Sequence, residues 1–258
     1  MKTLLGFLML SVSFFSRGEV LKVDPQTLED LVAASRILAD QGVVDAFGHV
    51  SVRNPKNPNR YFMSRNLAPA LVTAADIVEY DLDSNAIDAA GKGSFLERFI
   101  HGEIYKARPD VNAVVHSHSP AVIPFGITQV PMRPTYHMAG FLAGGVPLFE
   151  IRAVAGSASD MLIRNPQLGA ALARTLAERP VALMRGHGNV VVGASIQQVV
   201  YRAVYTEVNA RLQQNAIALG GPVTYLTKEE GDAIDATQQG QLRRPWELWK
   251  QKALGGAK

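Results

Sequence analysis

Glu97, His116, His118 and His187 are the residues of this sequence best equipped to do chemistry. His116 and His118 stand two apart at the end of the Val-rich run 111–116, and His187 sits between Gly186 and Gly188 after a second short apolar run. Residues i and i+2 of a strand project to one side, so His116-Ser117-His118 can present two imidazoles to a single ion. A turn flanked by glycines bends tightly enough to bring in a third. Neutral imidazole suits zinc, manganese, iron and other divalent first-row ions, and three protein ligands leave positions open for substrate, as catalytic sites do. The alternative is a set of core histidines with satisfied hydrogen bonds. His-x-His together with Gly-His-Gly, in a chain of six histidines, favours the metal.

These side chains need elements to carry them. Leu96, Phe99, Ile100 and Ile104 recur with helical spacing, which predicts a helix over 95–107 that Pro109 stops. Glu97 and His101 then share a face. Apolar Phe95 and Leu96 would desolvate the Glu97 carboxyl and raise its pKa toward proton-transfer duty, unless Glu97 and Arg98 are simply the helix's polar stripe. His101 could orient Glu97, support a metal ligand from behind, or pack. Upstream, Asp24-Pro25 opens a helix with Leu28, Leu31, Val32 and Leu38 on its apolar face, and Gly42 ends it. The segment 43–53 reads as a strand containing Gly48, followed by a hairpin into Tyr61-Phe62-Met63. Downstream come a helix over 166–177, strands at 181–184 and 190–192, and a long helix that Ser195 and Gln198 open in capping-box spacing and Gly220-Gly221 end. The tail after Lys228 reads as weakly held. The alternation of helix and strand predicts one α/β domain over 19–258, a layered αβα sandwich.

Composition removes several function classes. With 258 residues, 47% of them hydrophobic, the chain can bury one sizeable core. No Lys/Arg run or basic stripe with interleaved aromatics suggests nucleic acid. The first eighteen residues read as a signal peptide: Lys2, an apolar run over 4–15, then Ser16-Arg17-Gly18. Its removal would take away two of the 26 basic residues, leaving them almost balanced by 23 acidic ones, and would place the protein in the periplasm or outside the cell. The alternative is a cytoplasmic protein. Nothing later suggests a membrane anchor. With no cysteine there are no disulfides, thiolate nucleophiles or Cys-ligated zinc.

The sequence resembles the class II aldolase/adducin family over nearly all of the chain after the leader. Gly48-His49-Val50-Ser51-Val52-Arg53 is similar to that family's Gly-Asn-hydrophobic-Ser-hydrophobic-Arg strand. Glu97, His116, His118 and His187 match its catalytic glutamate and metal triad. The resemblance implies a three-layer αβα sandwich with a mainly antiparallel central sheet, a cyclic homotetramer with active sites at subunit interfaces, and one divalent ion, zinc or manganese. It also implies chemistry: a small oxygen-rich substrate chelated on the metal, a carbanion stabilised there, and protons moved by the glutamate.

Departures from the pattern narrow this expectation. The sugar-phosphate aldolases of the family carry two serines before the glutamate, where this chain has Phe95 and Leu96. His49 replaces their asparagine, and their phosphate turn falls at about Arg65-Asn66, next to Ser64. Arg65 suits a planar carboxylate, which it can hold bidentately, or else a surface ion pair. The chain therefore resembles the family's decarboxylases of hydroxylated aromatic or pyridine carboxylates more than its aldolases. Glu97 or a solvent relay would protonate the carbanion, and His137, near the family's interface tyrosine, is an alternative donor; Arg65, His49 and Ser64 would contact substrate. The other expectations are aldol cleavage of a sugar or sugar phosphate, a sugar dehydratase or epimerase, and a non-enzymatic adducin-like interaction module.

Overall fold

Side-chain alternation along the strands decides the architecture. The computed structural model describes residues 23–87, 89 and 91–255. Its seven strands are β1 (His49–Arg53), β2 (Arg60–Ser64), β3 (Ile77–Asp81), β4 (Ala113–Ser117), β5 (Leu148–Phe149), β6 (Val181–Met184) and β7 (Gly188–Gly193). They form one sheet in the order β3-β2-β1-β4-β7-β6-β5, antiparallel throughout except where β5 joins β6. Val50, Phe62, Val115, Leu183 and Val191 contribute to one core, and Tyr61, Met63, Val114, Ala182 and Val190 to a second on the opposite face. The strands β1, β2, β4, β6 and β7 thus bury both faces, with the period of two that a pleated backbone imposes.

The first face is covered by α1 (Pro25–Asp40), α5 (Ile196–Ala218) and α7 (Arg243–Gly255), the second by α2 (Phe99–Ala107) and α4 (Pro166–Leu176). The result is the expected three-layer αβα sandwich with a mainly antiparallel sheet. Asp24 caps α1, its side chain accepting from the Gln26 N–H, and Pro25 occupies the first helical position. Ser195 accepts from the Gln198 N–H at the start of α5. The Gln198 amide oxygen takes the Ala194 N–H, so the capping box is only half formed. Arg53 ties β1 to the layer above it, its guanidinium donating to the carbonyls of Pro58, Tyr105, Arg108 and Val111. Among the described residues no helix is long and apolar enough to cross a membrane. The leader at 1–18 lies outside the described residues.

Three expectations are corrected. The segment 43–53 is a strand only from His49 onward, because the Asp45 carboxylate takes the Phe47 N–H at 2.8 Å and turns the chain away from the sheet. The helix expected over 95–107 is broken. A single 3₁₀ turn at Leu96–Arg98, with Glu97 at φ −91° and ψ 16°, precedes α2. The tail after Lys228 is not weakly held. It forms α6 (Lys228–Gln239) and α7, the first opened by a reciprocal Thr227–Glu230 capping box, the second burying Trp246 and Trp249 in the core under α1 and α5.

Lys250, one turn of α7 beyond Trp246, pairs with Glu29 and Asp30 of α1 at 2.7 Å. The two tryptophans are the buried residues of α7, with Ala253 and Leu254 packed partly against the same core. Truncating a buried aromatic of this kind removes its transfer energy and leaves a cavity. Trp249→Ala is expected to lower the unfolding free energy by about 3 kcal/mol, measured as a shift of the urea midpoint at unchanged slope; an unchanged midpoint would return the tail to the weakly held state.

Candidate metal centre

Two strands and one hairpin turn converge on the centre. In the sheet His49 pairs with His116, and His116 pairs in turn with Val190. His116 follows Val114 at strand spacing, so it faces the α2/α4 layer, and His118 continues the same side just past the end of β4. His187 ends the three-residue connection between β6 and β7. Gly186, at φ 62°, makes the bend, and Gly188 lies so close to β4 that a Cβ there would stand 2.0 Å from the Ser117 carbonyl oxygen. Glu97 arrives from the 3₁₀ turn before α2, whose kink aims its carboxylate at the strands.

One ligand atom from each of Glu97, His116, His118 and His187 lies within 4.8 Å of all the others. Glu97 Oε2 is 3.4 Å from both His116 Nε2 and His187 Nε2, and His187 Nε2 is 3.0 Å from His118 Nε2. Two backbone carbonyls decide the tautomers. His116 Nδ1 lies 3.1 Å from the Asn189 oxygen and His187 Nδ1 3.0 Å from the Met161 oxygen. A carbonyl only accepts, so both Nδ1 atoms carry a proton, and in the neutral imidazole, the form that ligates a metal, Nε2 turns its lone pair inward. His116 Nε2 is buried with no hydrogen-bond partner. Met161 reaches its position at φ 66°, a region that non-glycine residues rarely occupy and that is found where surrounding structure enforces it. The same segment donates the Ile163 N–H to Glu97 Oε1 at 2.9 Å.

Burial and mutual repulsion disfavour the charged form of His118, His101 and His49. Burial, with His116 and His187 beside it, lowers the His118 pKa to about 4. Burial, with His116 nearby, lowers His101 to about 3, and burial, with His101 and His116, pushes His49 well below the usual range. Burial pushes the Glu97 carboxyl upward, but the His116 and His187 imidazoles outweigh it and hold the group well below the carboxylate range. The rise expected from Phe95 and Leu96 is therefore overturned by the neighbours the fold supplies.

A cavity of about 470 Å³ opens over the cluster. Glu97, His116 and His118 lie in it, and Phe47, Leu67, Phe95, Leu96 and Leu162 give it apolar walls. Phe47 is 65% exposed at the mouth, stacked at 6.2 Å on His118. A slightly larger cavity, about 520 Å³, lies at the opposite end of β4 and β7, between Arg108, Arg179 and Arg202; none of the clustered histidines borders it.

The other expected residues divide. His49 lines the cavity, and its Nδ1 shares a 2.6 Å hydrogen bond with His101 Nε2, which places His101 directly behind it. Arg65 does not line the cavity. Its Nε donates to Asp76 at 2.6 Å, and Asp76, held to a pKa of about 2 by the Thr73 hydroxyl and Arg65, keeps it there. Ser64 is buried opposite Ile77 on β2 and is also outside the cavity. His137 is exposed on the turn His137–Leu142, which packs closely on α6 through Gly140 and Gly231; in the single chain it is not brought to the cluster. Ser51 and Tyr105, hydrogen-bonded behind His101, were not singled out, although each follows a flagged histidine at its element's own period. The Met161 and Ile163 contacts had no signal in sequence.

The model of the Class II Aldolase and Adducin N-terminal domain matches residues 29–214. Decarboxylase tropJ of Talaromyces stipitatus is 40% identical over 247 residues, 87% of this chain and 93% of that protein. The 3,4-dihydroxyphthalate decarboxylase of Arthrobacter keyseri is 33% identical over 75% of this chain and 79% of its own length. The crystal structure of an aldolase II superfamily protein from Pseudomonas syringae superposes with a TM-score of 0.75 at 20% identity, over 90% of this chain and 94% of that one.

The neutral histidines give stability a pH signature. Free histidine protonates near pH 6.5, whereas folded His118 and His101 do so only at about 4 and 3. Between those values the unfolded chain binds more protons than the folded one, so stability rises with pH and is lost as pH falls from about 6.5 toward 4. The melting temperature of metal-free protein is expected to drop steadily over that interval, with a shallower slope in His101→Asn. A melting temperature flat over that interval would contradict the neutral-imidazole assignment.

Proposed function

The chain belongs to the class II aldolase and adducin family and is a carbon–carbon lyase, and on that premise we propose that it is a divalent-metal-dependent decarboxylase of a small hydroxylated aromatic carboxylate. One observation carries the reading: one ligand atom from each of three imidazoles and a carboxylate lies within 4.8 Å of the others, and Glu97, His116 and His118 of that cluster line an apolar-walled cavity. The donor set suits a metal ion. His116 Nε2 has no protein partner, and leaving such a buried atom unpaired costs roughly 1–3 kcal/mol. His116, His118 and His187 would hold the ion; zinc and manganese both accept such ligands. When bound, the ion supplies Lewis-acid stabilisation of the negative charge that develops as the carbon–carbon bond breaks.

The protein's own groups account for the remainder. Phe47, Leu67, Phe95, Leu96 and Leu162 pack against an aromatic ring and exclude water, which strengthens electrostatic interactions inside the cavity. Glu97 is ionised at neutral pH, and with Oε1 occupied by the Ile163 N–H its Oε2 is the free atom. It takes a proton from the substrate hydroxyl at Oε2. The ring-to-carboxylate bond then breaks, its electron pair stays on the ring carbon, carbon dioxide leaves, and Oε2 returns the proton to that carbon. The decarboxylase relatives support this choice over aldol cleavage, and so does the cavity: no Lys or Arg lines it among the described residues, and Arg65 is engaged by Asp76. A role for His137 as proton donor, or for Arg65 and Ser64 in substrate contact, rests on the homotetramer that the family suggests. Export, read from residues 1–18, rests on sequence alone.

Carbon dioxide release from 2,3-dihydroxybenzoate and 3,4-dihydroxyphthalate by Zn- or Mn-loaded protein tests the reading. Release is expected to stop on chelation and return with metal, and Glu97→Gln is expected to lower kcat by roughly 10²-fold or more. Full turnover in Glu97→Gln would remove Glu97 from the proton path. Thermal stabilisation by sugar phosphates alone, without carbon dioxide release, would restore the aldolase.

A further inference from the structure

A file of hydrogen-bonded groups runs inward from the cavity wall. His49 Nδ1 meets His101 Nε2 at 2.6 Å, His101 Nδ1 meets Ser51 Oγ at 2.6 Å, and Ser51 Oγ meets the Tyr105 hydroxyl at 2.7 Å. His49 is 6% exposed, His101 and Ser51 are fully buried, and Tyr105 is 1% exposed. Beyond Tyr105 the file stops among the described residues: Ser51 is the hydroxyl's partner, and no further acceptor follows. At the other end His49 Nε2 has no protein partner and is absent from the fully buried unpaired atoms, so it opens on the cavity that His49 lines.

Counting protons gives the file a direction. In one arrangement Tyr105 donates to Ser51, Ser51 donates to His101 Nδ1, and His101 Nε2–H donates to His49 Nδ1. Every buried donor then has an acceptor, and His49 carries its proton on Nε2. In the reverse arrangement His49 Nδ1–H donates inward, His101 donates to Ser51, Ser51 donates to Tyr105, and the Tyr105 O–H is left buried with no acceptor. An unmet buried donor costs roughly 1–3 kcal/mol, enough to populate the first arrangement about fivefold or more over the second.

We propose that Tyr105, Ser51 and His101 fix His49 as a hydrogen-bond donor whose Nε2–H grips an anionic oxygen, carboxylate or phenolate, of the substrate. This rests on the decarboxylase reading for the ligand, though not for the tautomer. It assigns His49 the part that an arginine clamp does not play here, since no Lys or Arg lines the cavity among the described residues. A fixed donor favours an acceptor-only oxygen and disfavours a substrate group that must itself donate at that point. Ser51 and Tyr105 are positioning residues, acting only through His101 and His49.

The test reads the tautomer without metal or substrate. Long-range ¹H–¹⁵N correlations are recorded on the full-length, metal-free, ¹⁵N-histidine-labelled protein, with the His49 ring assigned by its loss in His49→Gln. The expected result is a protonated Nε2 and an unprotonated Nδ1. Tyr105→Phe is expected to keep that pattern, because the Ser51 O–H then becomes the terminal donor, Ser51→Ala to move His49 toward a mixture of tautomers, and Ser51→Thr to restore it. A protonated Nδ1 in the wild type would overturn the proposal whether or not any variant folds, and so would an unchanged pattern in Ser51→Ala. A second arm measures 2,3-dihydroxybenzoate binding to Zn-loaded protein by calorimetry. His49→Phe is expected to weaken it roughly 10–100-fold and His49→Gln, which keeps an amide donor, only a few-fold; equal affinities in both would overturn the grip. Failure of the wild-type protein to bind 2,3-dihydroxybenzoate, with the tautomer as expected, would overturn the decarboxylase reading and with it the assigned ligand.

Discussion

The register of β4 between β1 and β7 is the constraint on which the metal centre depends. Ala113 and Val115 enter one core and Val114 the other, so His116 and His118 are committed to the α2/α4 side by the same hydrogen bonds that assemble the sheet. A slip of one residue would turn both imidazoles to the α1/α5 face and offer Ser117 to the cluster instead. The same register sets His49 opposite His116 and brings the His187 turn against Ser117. Because both faces of β4 are buried, the hydrophobic pattern strongly disfavours any such slip.

Given that register, the centre is an electrostatic problem solved by backbone. Three imidazoles and one carboxylate are crowded into a partly desolvated space. Burial makes a charged His118 costly, and the Nδ1 protons of His116 and His187 are spent on fixed carbonyls at Asn189 and Met161. Glu97 is the single negative charge of the cluster, and the segment around Met161 holds both it and His187. The left-handed backbone at Met161 is a local strain of the kind that persists only where packing enforces it.

Much of this was legible from residue types and spacing. His116 and His118 at strand period, His187 between glycines, and the helices α1, α4 and α5 all lie where the pattern puts them, because burial on both sides of a sheet writes a periodic signal. What the sequence hid was non-periodic. The kink at Glu97 and the loop carrying Met161 and Ile163 go with long-range contacts that leave no local mark, and the turn at Asp45 rests on one local hydrogen bond that leaves no periodic signal. Arg65 shows the limit of reading a side chain by type: its fork suits a substrate carboxylate, but Asp76, eleven residues on, takes its Nε. The tail misled for the opposite reason. Its polar composition masked Trp246 and Trp249, three apart, enough to anchor a helix.

The central claim is that His116, His118 and His187 hold one divalent ion through Nε2, and X-ray absorption at the zinc edge of the Zn-loaded protein tests it most directly. The account predicts one zinc per chain with three imidazole nitrogens at about 2.0–2.1 Å and the remaining positions filled by oxygen. Zinc bound with no more than one imidazole, or bound unchanged in His116→Ala, would contradict it.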